Sequence, residues 1–146
     1  MANKVLYQGS NLNMQNEFYL PLRVYIEDTD AGGIVYYVNY LKYMERARTE
    51  LLRSKGFSKP AILDEGMLLV VVASEVLYKK PARLDDELEV TAKIIELARS
   101  YAVFEQHIFC DEVCLTESKI KIACVNRGTM RPCAFPRRVA QLMKPS

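Results

Sequence analysis

Between Tyr40 and Lys55 the chain has the spacing of one long helix, and almost everything after it has the spacing of strands. That contrast limits the fold more than any other feature. At 100° per residue, Tyr37, Leu41, Met44, Leu51 and Leu52 form an apolar stripe, with Tyr40 and Ala47 on its flank. Lys42, Arg46, Thr49, Glu50 and Arg53 cluster opposite, toward solvent, and Gly56 supplies a stop. Glu45 and Arg48 fall on or beside the apolar stripe, three residues apart. Because a buried charge is costly unless partnered, they are expected to pair, with a structural role. The alternative for Glu45 is orientation of a water.

Before the helix, Leu20 to Glu27 alternates as a strand, with Leu22, Val24 and Ile26 on one face. After it, Met67 to Leu77 is a nearly continuous Val-rich run, expected to be a buried strand. Leu88, Val90, Ala92 and Ile94 alternate with polar neighbours, Tyr101 to Cys110 is strand-like, and Ile120, Ile122 and Cys124 share a face. Arg137 to Met143 suits a short terminal helix. One helix on an antiparallel sheet of about five strands is an α+β layout. Such a layout leaves a face and edges uncovered, so a homodimer or homotetramer is expected.

The chain has 146 residues, half of them hydrophobic, and a net charge of +2, too small to argue for nucleic acid. The expected organisation is an N-terminal arm over residues 1–17 and one domain over 18–146. No segment has signal-peptide or transmembrane length, so the expectation is a cytoplasmic protein without stable membrane insertion. Cysteines 110, 114, 124 and 133 match no zinc spacing and are read as buried free thiols, with Cys114 and Cys124 facing inward. No acidic residue follows Glu117, whereas several Lys and Arg do, which suits a phosphate-bearing ligand or a solvated basic surface.

The chemistry concentrates where the first strand meets the helix, in Asp28-Thr29-Asp30-Ala31-Gly32-Gly33-Ile34-Val35-Tyr36-Tyr37-Val38-Asn39-Tyr40. A carboxylate beside a helix N-terminus, with its free N–H groups and partial positive charge, is suited to attack on a polarised carbonyl. A plain turn is the bland reading. A calcium loop fits poorly, since Asn39 stands where a bidentate Glu belongs. His107 is the single histidine, with no nucleophile elbow to make a triad.

This stretch, with Glu45-Arg46-Ala47-Arg48 and Pro81-Ala82-Arg83-Leu84-Asp85-Asp86, resembles the 4-hydroxybenzoyl-CoA thioesterase family of hotdog-fold proteins. Within it the likeness is to the YbgC-type acyl-CoA thioesterases associated with the Tol–Pal envelope system. The resemblance implies a hotdog fold, a helix wrapped by its sheet, and hydrolysis of an acyl-CoA without a cofactor or metal. It puts the catalytic carboxylate on Asp30, as nucleophile or general base, and the carbonyl-polarising N–H on Tyr37. YbgC-type proteins usually carry His where this chain has Tyr37, so no imidazole can move a proton there. Asp28 is expected to orient the loop. Gly33, Val35 and Tyr40 are expected against the substrate, and Arg99, Arg127 and Arg131 near the CoA phosphates. A different reading keeps the fold and makes the chain a partner of an acyl carrier protein or a lipid enzyme, its hydrolysis incidental.

Overall fold

The helical spacing becomes one long helix, α1 (Asn39–Ser54), one residue from the expected bounds at either end. The computed structural model describes residues 17–60, 62–63 and 66–145. Nearly all of the expected N-terminal arm lies outside them. Around α1 run β1 (Tyr19–Arg23), β2 (Ile62–Leu63), β3 (Met67–Tyr78), β4 (Glu87–Thr91), β5 (Lys93–Leu97), β6 (Tyr101–Cys110) and β7 (Val113–Asn126). A short helix, α2 (Arg137–Leu142), follows. The described strands make one antiparallel sheet in the order β1-β4-β6-β7-β3-β2, with β5 also paired to β6. This is the expected α+β hotdog arrangement, with seven strands rather than about five. The surplus has two sources: β2 is only two residues long, and the alternating run from Glu87 breaks at Ala92 into β4 and β5.

The helix packs against one face of the sheet. Tyr43, Met44, Ala47, Leu51 and Leu52 are buried there against Phe104, Ile108, Ile120 and Ile122. Each large side chain so buried stabilises the fold by about 1.5–3 kcal/mol. Period-two burial holds along β6, where Ala102, Phe104, Gln106 and Ile108 all point inward. Some contacts are polar. Gln106 Nε2 donates to the carbonyls of Met44 and Thr91, both at 3.0 Å, and Ser118 Oγ reaches Met44 Sδ at 3.2 Å.

Three expectations need correction. β1 stops at Arg23 because Val24 turns to bond Asp86, and Ile26 lies in a 3₁₀ turn, exposed rather than on a strand face. The apolar stripe of α1 is rotated: Tyr43 is buried, whereas Tyr37 and Leu41 are exposed. β3 is not a buried strand. It pairs with β7 along its length but meets β2 only at Leu68 and Met67, leaving Val71, Val72, Leu77 and Tyr78 exposed. A continuous apolar run signals that both faces are covered, and one copy of the chain covers only part of this one. The cysteines are free, as expected, but of the four only Cys124, 3.7 Å from Cys133, is buried; Cys110, Cys114 and Cys133 are half-buried.

Candidate active site

Asp28 to Tyr36 fold into a tight hairpin. Thr29 bridges Val35, the Asp30 N–H donates to Ile34 O at 2.9 Å, and the Tyr36 N–H to Asp28 O at 3.0 Å. Asp30 therefore sits near the hairpin tip, exposed, with its Oδ1 accepting the Gly32 N–H at 2.8 Å. The two glycines do different work. A Cβ on Gly32 would come within 3.3 Å of that same carboxylate oxygen, whereas Gly33 takes a positive φ of 80°, a region that disfavours side chains. The hairpin is docked by the Val35 N–H to Ala82 O and the Leu84 N–H to Gly33 O.

Asp28 lies at its base. Its Oδ2 accepts the Tyr25 N–H at 2.9 Å, and its carbonyl accepts both the Tyr36 N–H and Asn39 Nδ2. Tyr43, buried beneath, makes no ordinary hydrogen bond through its hydroxyl, yet burial and the nearby Asp28 carboxylate raise its pKa. The phenol stays protonated, below a carboxylate whose own bonds are to the loop.

The start of α1 is the second half of the arrangement. The N–H groups of Asn39, Tyr40 and Leu41 are satisfied three residues back, by the carbonyls of Tyr36, Tyr37 and Val38. No hydrogen bond among the described residues uses the N–H of Tyr37 or Val38. The first turn of α1 also carries no acidic residue, so its positive end is not offset from within. A carboxylate and free N–H groups thus occupy the two limbs of one loop.

Around them stands an aromatic cluster. The Tyr37 ring meets Tyr36 edge-on at 5.3 Å and Tyr78 at 6.0 Å, and Tyr78 lies 5.5 Å from Tyr40. Sequence reasoning missed Tyr78 because it closes a run whose exposure is invisible until β3 is found to be an edge. Tyr40 is itself buried, and its hydroxyl accepts the Ala82 N–H at 2.9 Å. Val35 is buried in the core.

Other expected site residues are not brought here. Thr116 of β7 pairs with Tyr78, beside the hairpin, and Asn126 pairs with Met67 at the other end of the strand. Those ten residues of β7 span about 33 Å. Arg127 and Arg131 follow Asn126 and are exposed, so within one chain they lie far from Asp30; exposed Arg99 is on that same side, its carbonyl accepting the Phe135 N–H. The expected Glu45–Arg48 pair is replaced. Arg48 donates to Gln106 Oε1 at 2.9 Å, and exposed Glu45 acts on it only through its charge. Among the described residues no cluster of His, Cys, Asp and Glu could hold a metal, and no helix is long and apolar enough to cross a membrane.

Comparison with known proteins identifies the family. The model of the thioesterase superfamily matches residues 32–115, a segment that includes Tyr37 and begins just after Asp30. The chain is 42% identical over 127 residues to the acyl-CoA thioesterase YbgC of Haemophilus influenzae, covering 86% of this chain and 93% of that one. It is 41% identical to an Escherichia coli acyl-CoA thioester hydrolase YbgC, covering 87% and 96%. The crystal structure of a probable thioesterase from Bartonella henselae superposes with a TM-score of 0.74 at 34% identity, over 83% of this chain and all of the other. By this family match and these relatives, the chain belongs to the thioesterase superfamily and is a thioester hydrolase.

Proposed function

We propose that this protein hydrolyses acyl-CoA thioesters to the free acid and CoA. The observation that carries the reading is the loop that holds Asp30 and the free N–H of Tyr37 together at the start of α1. The similarity to YbgC thioesterases supports the substrate class. The thioester carbonyl oxygen accepts the Tyr37 N–H, and the helix terminus stabilises the negative charge that develops there. Asp30 attacks the carbonyl carbon to form a mixed anhydride, which water then cleaves, or it takes a proton from the attacking water. Asp28 positions the hairpin, and Tyr37, Tyr40 and Tyr78 wall the acyl group. Turnover on a panel of acyl-CoAs tests this, and capture of acyl carrier protein without turnover would favour the partner reading instead.

The working form is a homodimer or a dimer of dimers. The support is the exposed apolar strip on β3 and the open setting of Asp30, which one chain leaves without a wall. A second copy laid against β3 about a two-fold axis runs antiparallel to it, so the partner's Arg127 and Arg131 ends approach this chain's hairpin. Light scattering at micromolar protein should give twice or four times the 16.7 kDa chain mass. A monomer with full activity would end this part of the reading.

Those arginines then meet the CoA phosphates from across the interface, screened over a Debye length of about 8 Å at physiological salt. Arg127→Ala with Arg131→Ala should raise KM for acyl-CoA more than for the matching pantetheine thioester, most clearly at low salt. Equal changes in the two constants would remove the arginines from the nucleotide site.

A further inference from the structure

A separate cavity of about 150 Å³ lies along the second half of α1, away from the hairpin. Glu45, Arg48 and Thr49 of α1 line it together with Leu69 and Val71 of β3 and Phe104 of β6. Arg48 is the buried charged member of this wall. It is 8% exposed, and its Nη1 donates to a neutral acceptor, Gln106 Oε1. Gln106 in turn uses its amide nitrogen on the Met44 and Thr91 carbonyls, so its side chain is held in place. Among the described residues no carboxylate is in ion-pair contact with Arg48. Burial draws its pKa down to about 10, against the opposing charge of Glu45. A guanidinium has five N–H donors, and the described hydrogen bond to Gln106 uses one of them. A cation kept on a cavity wall under those terms points to a ligand atom.

The route to that atom starts at the catalytic loop. Tyr78, at the end of β3, lies against Tyr37 and Tyr40, whereas Val71, farther back along the same strand, lines the cavity. Ser74 and Val76 lie between them, exposed and half-buried. From Tyr37 to Arg48 is eleven residues, about 16 Å at helical rise, the reach of an acyl chain of roughly a dozen carbons.

We propose that this cavity receives the far end of the acyl chain and selects chains carrying a hydroxyl there, with Arg48 donating to its oxygen and its O–H donating a hydrogen bond to the Glu45 carboxylate. The inference rests on the acyl-CoA reading above and narrows it. A bare methyl end would displace water from Arg48 and offer no acceptor in return. A carboxylate end would be attracted by Arg48 and repelled by Glu45 on the same wall. A hydroxyl satisfies both.

The test is kcat/KM of the purified protein on butanoyl-CoA, dodecanoyl-CoA, 12-hydroxydodecanoyl-CoA and dodecanedioyl-CoA. The hydroxylated chain should exceed the plain one by about tenfold, and the diacid should not exceed it. Arg48→Met, checked for fold by circular dichroism, should bring the ratio of hydroxylated to plain close to one. Gln106→Glu, which gives the guanidinium a carboxylate partner, should lower the same ratio and serves if Arg48→Met does not fold. The wild-type comparison needs no variant: equal rates on the two chains, or preference for the diacid, overturn the proposal. A ratio that survives in folded Arg48→Met overturns it too. Hydrolysis of plain chains without the preference leaves the thioesterase reading standing alone. No hydrolysis of any of the four would take both away.

Discussion

Asp30→Asn should fold, elute like the parent and still bind acyl-CoA, while single-turnover cleavage of the thioester falls 100- to 1000-fold, about 3–4 kcal/mol of lost transition-state stabilisation. Asparagine has the shape of the carboxylate, and its amide oxygen can still accept the Gly32 N–H that now reaches Oδ1. What it lacks is the negative charge and an oxygen able to attack a carbonyl or take a proton. Both versions of the mechanism need that oxygen, so both predict the loss. Asp28→Asn separates position from chemistry. Its bonds from the Tyr25 N–H and its own carbonyl's bonds from Tyr36 and Asn39 require no formal charge, so it should lose far less. A near-normal rate for Asp30→Asn, with the protein folded, would end the carboxylate mechanism and bring the carrier-protein reading forward.

The readability of this chain varied with how local each feature is. The bounds of α1 could be read to within a residue because a 3.6-residue repeat and Gly56 define them without any partner. The alternation of β6 and β7 was equally plain, since one face of each is packed under the helix. The rotation of α1 about its axis was not. Tyr37 and Leu41 extend the stripe on paper, but both are exposed, and Tyr43 takes the buried position beneath Asp28. Edge position is likewise absent from sequence: Val71 and Val72 look the same in a central strand and in β3. The hairpin with its carboxylate was legible as a motif because its parts lie within thirteen consecutive residues. Arg127 and Arg131 were grouped with it by chemistry alone, and no pattern in the sequence tells which end of β7 they occupy. The Arg48 partner was missed for a related reason. Glu45 is close in sequence and complementary in charge, whereas Gln106 is fifty-eight residues away and neutral.

The second large effect should come from a backbone atom. If the Tyr37 N–H holds the carbonyl oxygen, Tyr37→Pro deletes that donor and should lower kcat and kcat/KM together by 100- to 1000-fold, the usual result of removing one such donor. No described hydrogen bond uses this N–H, so proline removes none of the described bonds. Residue 37 also precedes the first residue of α1, a region where proline is tolerated. Proline takes the ring away as well, which is why Tyr37→Ala and Tyr37→Phe belong in the same experiment. Both keep the N–H and should keep substantial activity, with Tyr37→Ala showing what contact with Tyr78 contributes to acyl binding. Tyr37→His should be tolerated on the same ground, since the atom at work belongs to the main chain. Val38 offers the other free N–H of this turn, and Val38→Pro is the natural counterpart. Loss in Tyr37→Pro with activity kept in Val38→Pro assigns the oxyanion donor to Tyr37. The reverse pattern would move the carbonyl one residue along the turn, and full activity in both folded variants would remove the helix terminus from the mechanism.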